Sequence, residues 1–313
     1  MDFLVTGGAG FIGSHLVQRL VARGDRVRVL DNFSTGKREN LAALEDRVEI
    51  VNGDIGDLEV CRRSCEGVRI VFHQAARPSV PKSIEDPVTS HRANADGTFN
   101  ILQAAHENGV QRLIYAASSS AYGDSEKLPK IESMIANPLS PYAVQKLAGE
   151  HYCRVFTSCY GLKTLALRYF NVFGSRQDPK SQYAAAIPAF VTSILKDEPP
   201  TIYGDGEQTR DFTYIDNAIE ANLLAAEAAD VRGETVNIAC GERITVNEII
   251  SRINAILGKN VKPNHVNPRP GDIKHSWADI GLANSLIGYR PVVYFDDGLR
   301  RTIEWYSKAT ETS

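Results

Sequence analysis

The sequence has no long apolar run, no lysine- or arginine-rich tract and no cysteine pair in C-x-x-C spacing. Each absence removes a class of function. A membrane-crossing helix needs roughly 20 apolar residues, and no stretch approaches that. The formal net charge is −3, and isolated basic pairs such as Lys37-Arg38 and Arg62-Arg63 read as solvated surface. Neither nucleic acid nor an anionic membrane surface finds an electrostatic footprint in that pattern. The five cysteines, Cys61, Cys65, Cys153, Cys159 and Cys240, are odd in number, which argues against a disulfide framework. Cys61 and Cys65 could share a helix face, yet no histidine stands at ligand spacing and none of the seven falls in H-E-x-x-H. No metal site is expected. A first strand beginning at residue 3 leaves no room for a signal peptide, so the expected location is cytoplasmic.

What is present suits a buried core: 313 residues, 43% hydrophobic, enough for one large domain or two sharing an interface. The chain is organised around Thr6 to His15, TGGAGFIGSH, which follows a short apolar strand, Phe3 to Val5. Gly7, Gly10 and Gly13 fall in G-x-x-G-x-x-G, a variant of the dinucleotide fingerprint. Gly7 permits the tight strand-to-helix turn, Gly10 lets backbone approach a pyrophosphate, and Gly13 lets the helix pack closely on the sheet. Amides at that helix start favour an anion. A plain strand-to-helix turn would use the same glycines. The helix, Ser14 to Ala22, carries Leu16, Val17, Leu20 and Val21 on one side and stops at Gly24. The next strand, Arg26 to Leu30, ends at Asp31, where the fingerprint expects an acid about 20 residues on. Asp31 reads either as a turn cap or as the partner of an adenosine ribose diol; in the second role it would repel a 2′-phosphate and favour NAD.

Strands and helices then alternate, the signature of a parallel sheet covered on both faces. Val48 to Val51 delivers Asp54 and Ile55 to its end, where an adenine could be bracketed or a surface turn formed. Arg69 to His73 is followed by Gln74, Ala75 and Ala76, small enough for backbone to approach a cofactor or for tight packing. Asn94 to Asn108 reads as an amphipathic helix with Phe99, Leu102 and Ala105 on one face, closed by Gly109. The strand Arg112 to Tyr115 runs into Ala116, Ala117, Ser118, Ser119 and Ser120, where open α/β sheets place their chemistry. Tyr142 and Lys146 lie one turn apart on the following helix, 24 residues after Ser118. Leu165 to Arg168 and Thr235 to Ala239 complete about seven strands.

At this point the chain resembles the extended short-chain dehydrogenase/reductase superfamily, and more closely the UDP-hexose 4-epimerases. The matching segments are TGGAGFIGSH, DNFSTG at 31–36, GD at 53–54, HQAA at 73–76, SSSAYG at 118–123, SPYAVQK at 140–146, LRYFNVFG at 167–174 and GDGEQTRDFTYIDN at 204–217. The resemblance implies an α/β Rossmann-type doubly wound sheet over 1–170 and about 212–240. It also implies a smaller mixed UDP-sugar domain from 171–211 and 241–313.

The same resemblance implies bound NAD. Its contacts would come from Gly7, Gly10, Phe11, Ile12 and Gly13, then from Asp31, Asn32, Ser34 and Gly36. Asp54 with Ile55, Gln74 with Ala75 and Ala76, and finally Asn94, Tyr142, Lys146 and Tyr169 would complete the site. Nucleotide-sugar contacts are implied for Ser118, Ser119, Ser120, Tyr142 and Asn171, for Ala185 and Ile187 within 183–188, and for Tyr203, Arg210, Arg269, Asp272 and Ser276. Arg210 and Arg269 could each fork onto a diphosphate or form a surface ion pair. Tyr142 is the implied general base, with Lys146 lowering its phenol pKa and Ser118 bonding the reacting oxygen. A homodimer through a four-helix bundle of 94–108 and 142–160 is the family's habit.

Competing activities leave marks of their own. A 4,6-dehydratase of this superfamily carries Asp and Glu after the catalytic Ser or Thr, where this chain has Ser119 and Ser120. A decarboxylase places Glu at the position of Ser120 and Arg at that of Leu147. A non-catalytic sensor breaks the Tyr/Lys pair, which is intact here. Strict UDP-glucose epimerases carry a Tyr four residues after the acid of R-x-x-D; this chain has Ser276, which leaves room for an N-acetyl group or is merely small.

Overall fold

Successive side chains on the strands of a parallel sheet feed two separate apolar cores, one on each face, because strand side chains alternate with period two. The computed structural model describes residues 1–179, 186–268 and 274–311. Leu4, Val71, Leu113 and Tyr115 join one core with Ile101, Leu102, Cys153 and Phe156. Val5, Phe72 and Ile114 join the other with Leu16, Leu20, Ala218 and Ile219. Helices Leu58–Cys65, Gly97–Glu107 and Pro141–Tyr160 therefore cover the first face, and Phe11–Ala22 and Ile215–Glu227 the second.

The sheet has seven strands, all paired in parallel. Across it run Thr235–Ile238, Lys163–Tyr169, Arg112–Ser118, Ile70–His73, Phe3–Thr6, Val27–Asp31 and Val48–Asn52. The order reverses direction between Phe3–Thr6 and Ile70–His73, which opens a crevice at their carboxyl ends. This is the expected doubly wound architecture.

Local chemistry sets the element ends. Ser140 accepts from Ala143 N at 3.2 Å, Pro141 occupies the first turn, and Gly161 closes the helix at φ 74°. The helix expected from Ser14 begins at Phe11, so Gly13 lies inside it. The strand expected to stop at Tyr115 continues through Ala116 and Ala117 to Ser118. The helix expected over Asn94 to Asn108 is interrupted: Pro87–His91 passes through a π-helical turn, Arg92–Asp96, into Gly97–Glu107. Phe99 also departs from expectation. It is 40% exposed and turned from the sheet toward the neighbouring helix, with ring contacts to Tyr152 and Phe156.

Apart from Thr235–Ile238, the strands beyond residue 170 are short and pair two by two. Val172–Phe173 lies parallel to Thr213–Tyr214, Thr209–Arg210 antiparallel to Ile244–Thr245, and Thr201–Tyr203 parallel to Asn264–Val266. The apolar cluster that holds Val5 and Ile114 also takes in Phe190, Ile249 and Tyr306. Among the described residues no helix is long and apolar enough to cross a membrane, and no group of three or more potential ligands could hold a metal ion.

Candidate active site

The three glycines have three different surroundings. A Cβ on Gly7, which sits at φ 67°, would lie 2.7 Å from the backbone of Ala75. One on Gly13 would lie 2.1 Å from the Gly7 carbonyl oxygen. One on Gly10 would meet only that carbonyl, at 3.1 Å. Gly7 and Gly13 are thus demanded by the chain's own packing, whereas Gly10 borders open space. Gly10 precedes the helix Phe11–Ala22 as an N-cap without a side chain, and no acid lies in the first turn, so the amides of Phe11 and Ile12 carry no side-chain cap.

Asp31 is buried and accepts from Ala9 N at 2.9 Å and Phe33 N at 2.8 Å. It therefore caps a turn, one of its two readings, while two such bonds leave lone pairs on a carboxylate. Gly36 is crowded against it: an added Cβ would lie 2.9 Å from its Oδ2. Asn32 donates to Asp54 Oδ2 at 3.0 Å and accepts from Ser34 Oγ at 2.7 Å. Asp54 also accepts from Gly56 N at 2.7 Å, and Ile55 is buried beside it.

Across the crevice, Ala75 N donates to Thr6 Oγ1 at 3.2 Å, next to half-buried Ala76. Gln74 Nε2 donates to Asn222 Oδ1 at 3.0 Å, and Asn222 Nδ2 to the Tyr169 hydroxyl at 2.7 Å. Burial pushes the Tyr169 phenol up to about 12. Asn94 is buried, donating to Gln145 Oε1 at 2.9 Å and accepting from Arg77 N at 2.7 Å. Its amide is committed to holding the π-turn on the long helix, so the expected cofactor contact does not draw on a free side chain.

Ser118 ends its strand, and Ser120 Oγ donates to Ser118 Oγ at 2.9 Å with Ser119 between them. Tyr142 and Lys146 face it from Pro141–Tyr160. Gly149 makes that approach possible, since a Cβ there would lie 2.3 Å from the Tyr115 hydroxyl. Lys146 Nζ donates to the Ala116 carbonyl at 2.8 Å and lies 5.0 Å from the Tyr115 ring centroid. Burial lowers this ammonium to about 8, with Glu150 pulling the other way. The expected depression of the Tyr142 phenol by Lys146 is not found. Burial raises the phenol above its ordinary 10.0 and the Ser118 hydroxyl offsets part of that, while the lysine charge is engaged by a carbonyl.

Sequence reading missed the groups that hold this cluster. His73, buried, pairs with Thr6 Oγ1 at 2.7 Å and Thr98 Oγ1 at 3.0 Å, and burial lowers it to about 3. Glu150 binds Arg168 through two bonds, 2.8 and 2.6 Å, and Arg168 lies 4.6 Å from the Tyr122 ring centroid. The spacing of Glu150, four residues after Lys146 on one helix face, was the available signal.

The remaining predicted residues all lie after residue 170. Asn171, at φ 34°, donates to the Asp211 carbonyl at 2.8 Å. Asp211 accepts from Cys240, Gly241 and Ala278 N at 2.9, 3.0 and 3.2 Å, and burial raises it to about 7. Those bonds anchor the strand that carries Arg210, whose Nη1 donates to the Thr209 carbonyl at 2.9 Å. Ser276 N donates to the Thr209 carbonyl at 3.0 Å, which brings Ser276 beside Arg210. Tyr203 is 37% exposed. Ile187 departs from expectation: its side chain is fully buried in the core of Ala186–Leu195, leaving only its backbone for a ligand. Ala185, Arg269 and Asp272 lie outside the described residues.

Known proteins similar to this chain include 4-epimerases and also a UDP-N-acetyl-alpha-D-glucosaminuronate decarboxylase of Bacillus cytotoxicus at 33% identity and a dTDP-glucose 4,6-dehydratase of Streptomyces venezuelae at 34%. A profile of the NAD dependent epimerase/dehydratase family matches residues 3–239. The UDP-N-acetylglucosamine 4-epimerase of Methanobrevibacter ruminantium, solved with UDP-N-acetylmuramic acid, superposes with a TM-score of 0.94 at 40% identity over 98% of each chain. The UDP-glucose 4-epimerase of Thermotoga maritima, with UDP-glucose, gives 0.94 at 38% identity, covering 99% of this chain and 100% of its own. That of Thermus thermophilus, with NAD, gives 0.90 at 38% identity and the same coverage.

Proposed function

Because this chain belongs to the NAD-dependent epimerase/dehydratase family, we propose that it interconverts the C4 epimers of UDP-sugars on bound NAD, favouring UDP-GlcNAc and UDP-GalNAc. The observation that carries the reading is the convergence of Ser118, Tyr142 and Lys146 at a strand end beside the crevice, with serines at 119 and 120 where the superfamily's eliminating enzymes carry acids.

The uncapped first turn at Phe11 and Ile12, the open side of Gly10 and the carboxylate of Asp31 fit a pyrophosphate and a ribose diol. When bound, NAD accepts a hydride from C4 of the sugar and returns it, which lets an unactivated carbinol carbon invert. Tyr142 takes the proton of the sugar 4-hydroxyl and gives it back. Ser118 donates to the reacting oxygen, and Lys146 contributes positive charge next to Tyr142. Arg210 and Arg269 bind the diphosphate and Asp272 a ribose diol. Tyr203 stacks on uracil; Asn171, Ala185 and the backbone of Ile187 border the sugar, and Ser276 leaves space at its 2-position. Residues 171–211 and 241–313 form the sugar lobe.

The active unit is a homodimer. Phe99, Tyr152, Val155 and Tyr160 are 40, 39, 45 and 52% exposed on two adjacent helices, a two-helix apolar face that a second copy would complete as a four-helix bundle. Light scattering of the purified protein at a dimer mass supports this; a monomer mass overturns it.

Incubation of the protein with UDP-GlcNAc and with UDP-Glc, separately and without added cofactor, tests the activity by chromatography against galacto standards. Faster conversion of UDP-GlcNAc supports the proposal. Conversion of UDP-Glc alone leaves an epimerase with the other preference, and no conversion of either with NAD supplied rejects the reading.

A further inference from the structure

The amino ends of the strands, opposite the crevice, border a second cavity of about 380 Å³. Phe3, Ile70 and Arg112 stand in register as a row across three neighbouring strands and form its floor. Arg69 precedes Ile70, Arg23 enters from the end of Phe11–Ala22, and Leu223 lies on the last turns of Ile215–Glu227. On the strand that begins at Arg112, Ser118 is six residues on, about 20 Å at the usual rise per residue. The cavity is therefore separate from the catalytic cluster.

Its charge is unbalanced. Three guanidiniums line it, of which Arg23 is neutralised twice, by Glu227 at 3.1 Å and by Asp25 at 3.3 Å. Arg112 is buried, and only its Nη1 is used, donating to the Ala225 and Ala226 carbonyls at 2.9 and 2.6 Å. Those two bonds satisfy the helix end and fix the guanidinium plane. Among the described residues its Nε and Nη2 meet no acceptor, and the Arg69 guanidinium has no carboxylate partner; it lies 5.6 Å from the Phe3 ring centroid. One rigid arginine, one unpaired arginine and an apolar floor form a concave site complementary to an anion with an apolar body.

We propose that this cavity binds a small phosphate monoester, its dianion held between Arg69 and Arg112 and its carbon skeleton laid on Phe3, Ile70 and Leu223. Arg69 and Arg112, the two lining guanidiniums with no carboxylate partner among the described residues, match the two charges of a dianion. The last turns of Ile215–Glu227 carry Leu223 on the cavity and, one residue earlier, Asn222 on Gln74 and Tyr169, so an occupied cavity stiffens the helix that fixes the crevice wall.

Calorimetric titration of the NAD-loaded protein with glycerol 3-phosphate, in the presence of saturating UDP to fill the crevice, tests the site. The expected result is saturable binding of one probe per chain, no binding of glycerol, and weaker binding of succinate. Arg69→Ala weakens the phosphate at least about tenfold, and Arg69→Lys by less, since charge survives and the fork is lost. Unchanged thermal unfolding and unchanged epimerisation of Arg69→Ala without phosphate show that the variant is folded. Absence of saturable binding, displacement by UDP, equal binding of glycerol or succinate, or indifference to Arg69→Ala overturns the proposal. The readout is heat of binding, so it stands or falls independently of the epimerase reading.

Discussion

The Lys146 ammonium donates to the Ala116 carbonyl at 2.8 Å, which ties the middle of the helix Pro141–Tyr160 to the strand that ends at Ser118. This bond fixes the ammonium one helical turn from Tyr142. Lys146→Met should lower kcat by about 100- to 10,000-fold, the usual range for lost acid–base assistance. The sign of the pH dependence follows from burial: with the free-enzyme ammonium lowered to about 8, kcat/KM should fall as pH rises through that value. Lys146→Arg, permanently charged, should be slower but lack that falling limb. Steady-state rates between pH 6 and 10 check both (about one pH unit per step suffices to place a limb).

Gly10 and Gly13 should respond differently to the same methyl group. Gly13→Ala places a carbon 2.1 Å from the Gly7 carbonyl oxygen and should destabilise the cofactor-free protein by about 3 kcal/mol or more. Gly10→Ala, with only a 3.1 Å contact, should leave the cofactor-free protein near its original melting temperature and weaken NAD binding. Differential scanning calorimetry with and without NAD separates the two. Equal losses of stability would show that Gly10 serves the fold alone.

His73 links acid sensitivity to the sheet. Its folded pKa of about 3 lies below its ordinary 6.5, so the unfolded chain binds the extra proton as pH falls. The neutral form's advantage is complete above 6.5 and is lost progressively down to about 3. At pH 5 the cost is about 2 kcal/mol for this group. Urea unfolding at pH 7 and pH 5 should show that loss, and His73→Gln should flatten the dependence while lowering stability at pH 7, because Thr6 and Thr98 lose a shaped partner.

Ser276→Tyr should reduce conversion of UDP-GlcNAc more than that of UDP-Glc, since the larger ring competes with the N-acetyl group. The ratio of kcat/KM values on the two substrates is the measurement. An unchanged ratio would place Ser276 away from the sugar's 2-position.

Glu150→Gln should cost about 3 to 5 kcal/mol, because it leaves the Arg168 guanidinium buried and unneutralised. Guanidinium unfolding measures it. A loss below 1 kcal/mol (roughly an exposed pair's worth) would mean that water reaches the pair.

The sequence by itself determined what depends on neighbours along the chain. Three glycines at fixed spacing, an acid about 20 residues on, and Tyr142 one turn from Lys146 are local patterns, and alternation of strand and helix fixes a parallel sheet with its chemistry at one edge. Only the tertiary structure decided what depends on distant residues meeting. Packing turned the Lys146 charge onto Ala116, drew Asn94 into bonds with Arg77 and Gln145, buried Ile187 and left Phe99 half in solvent. It also aligned Phe3, Ile70 and Arg112, which lie far apart in the chain, into one row. Periodicity says that a side chain lies on a face; which atoms meet it there, and hence its protonation and its freedom to bind, is set by elements the local pattern does not contain.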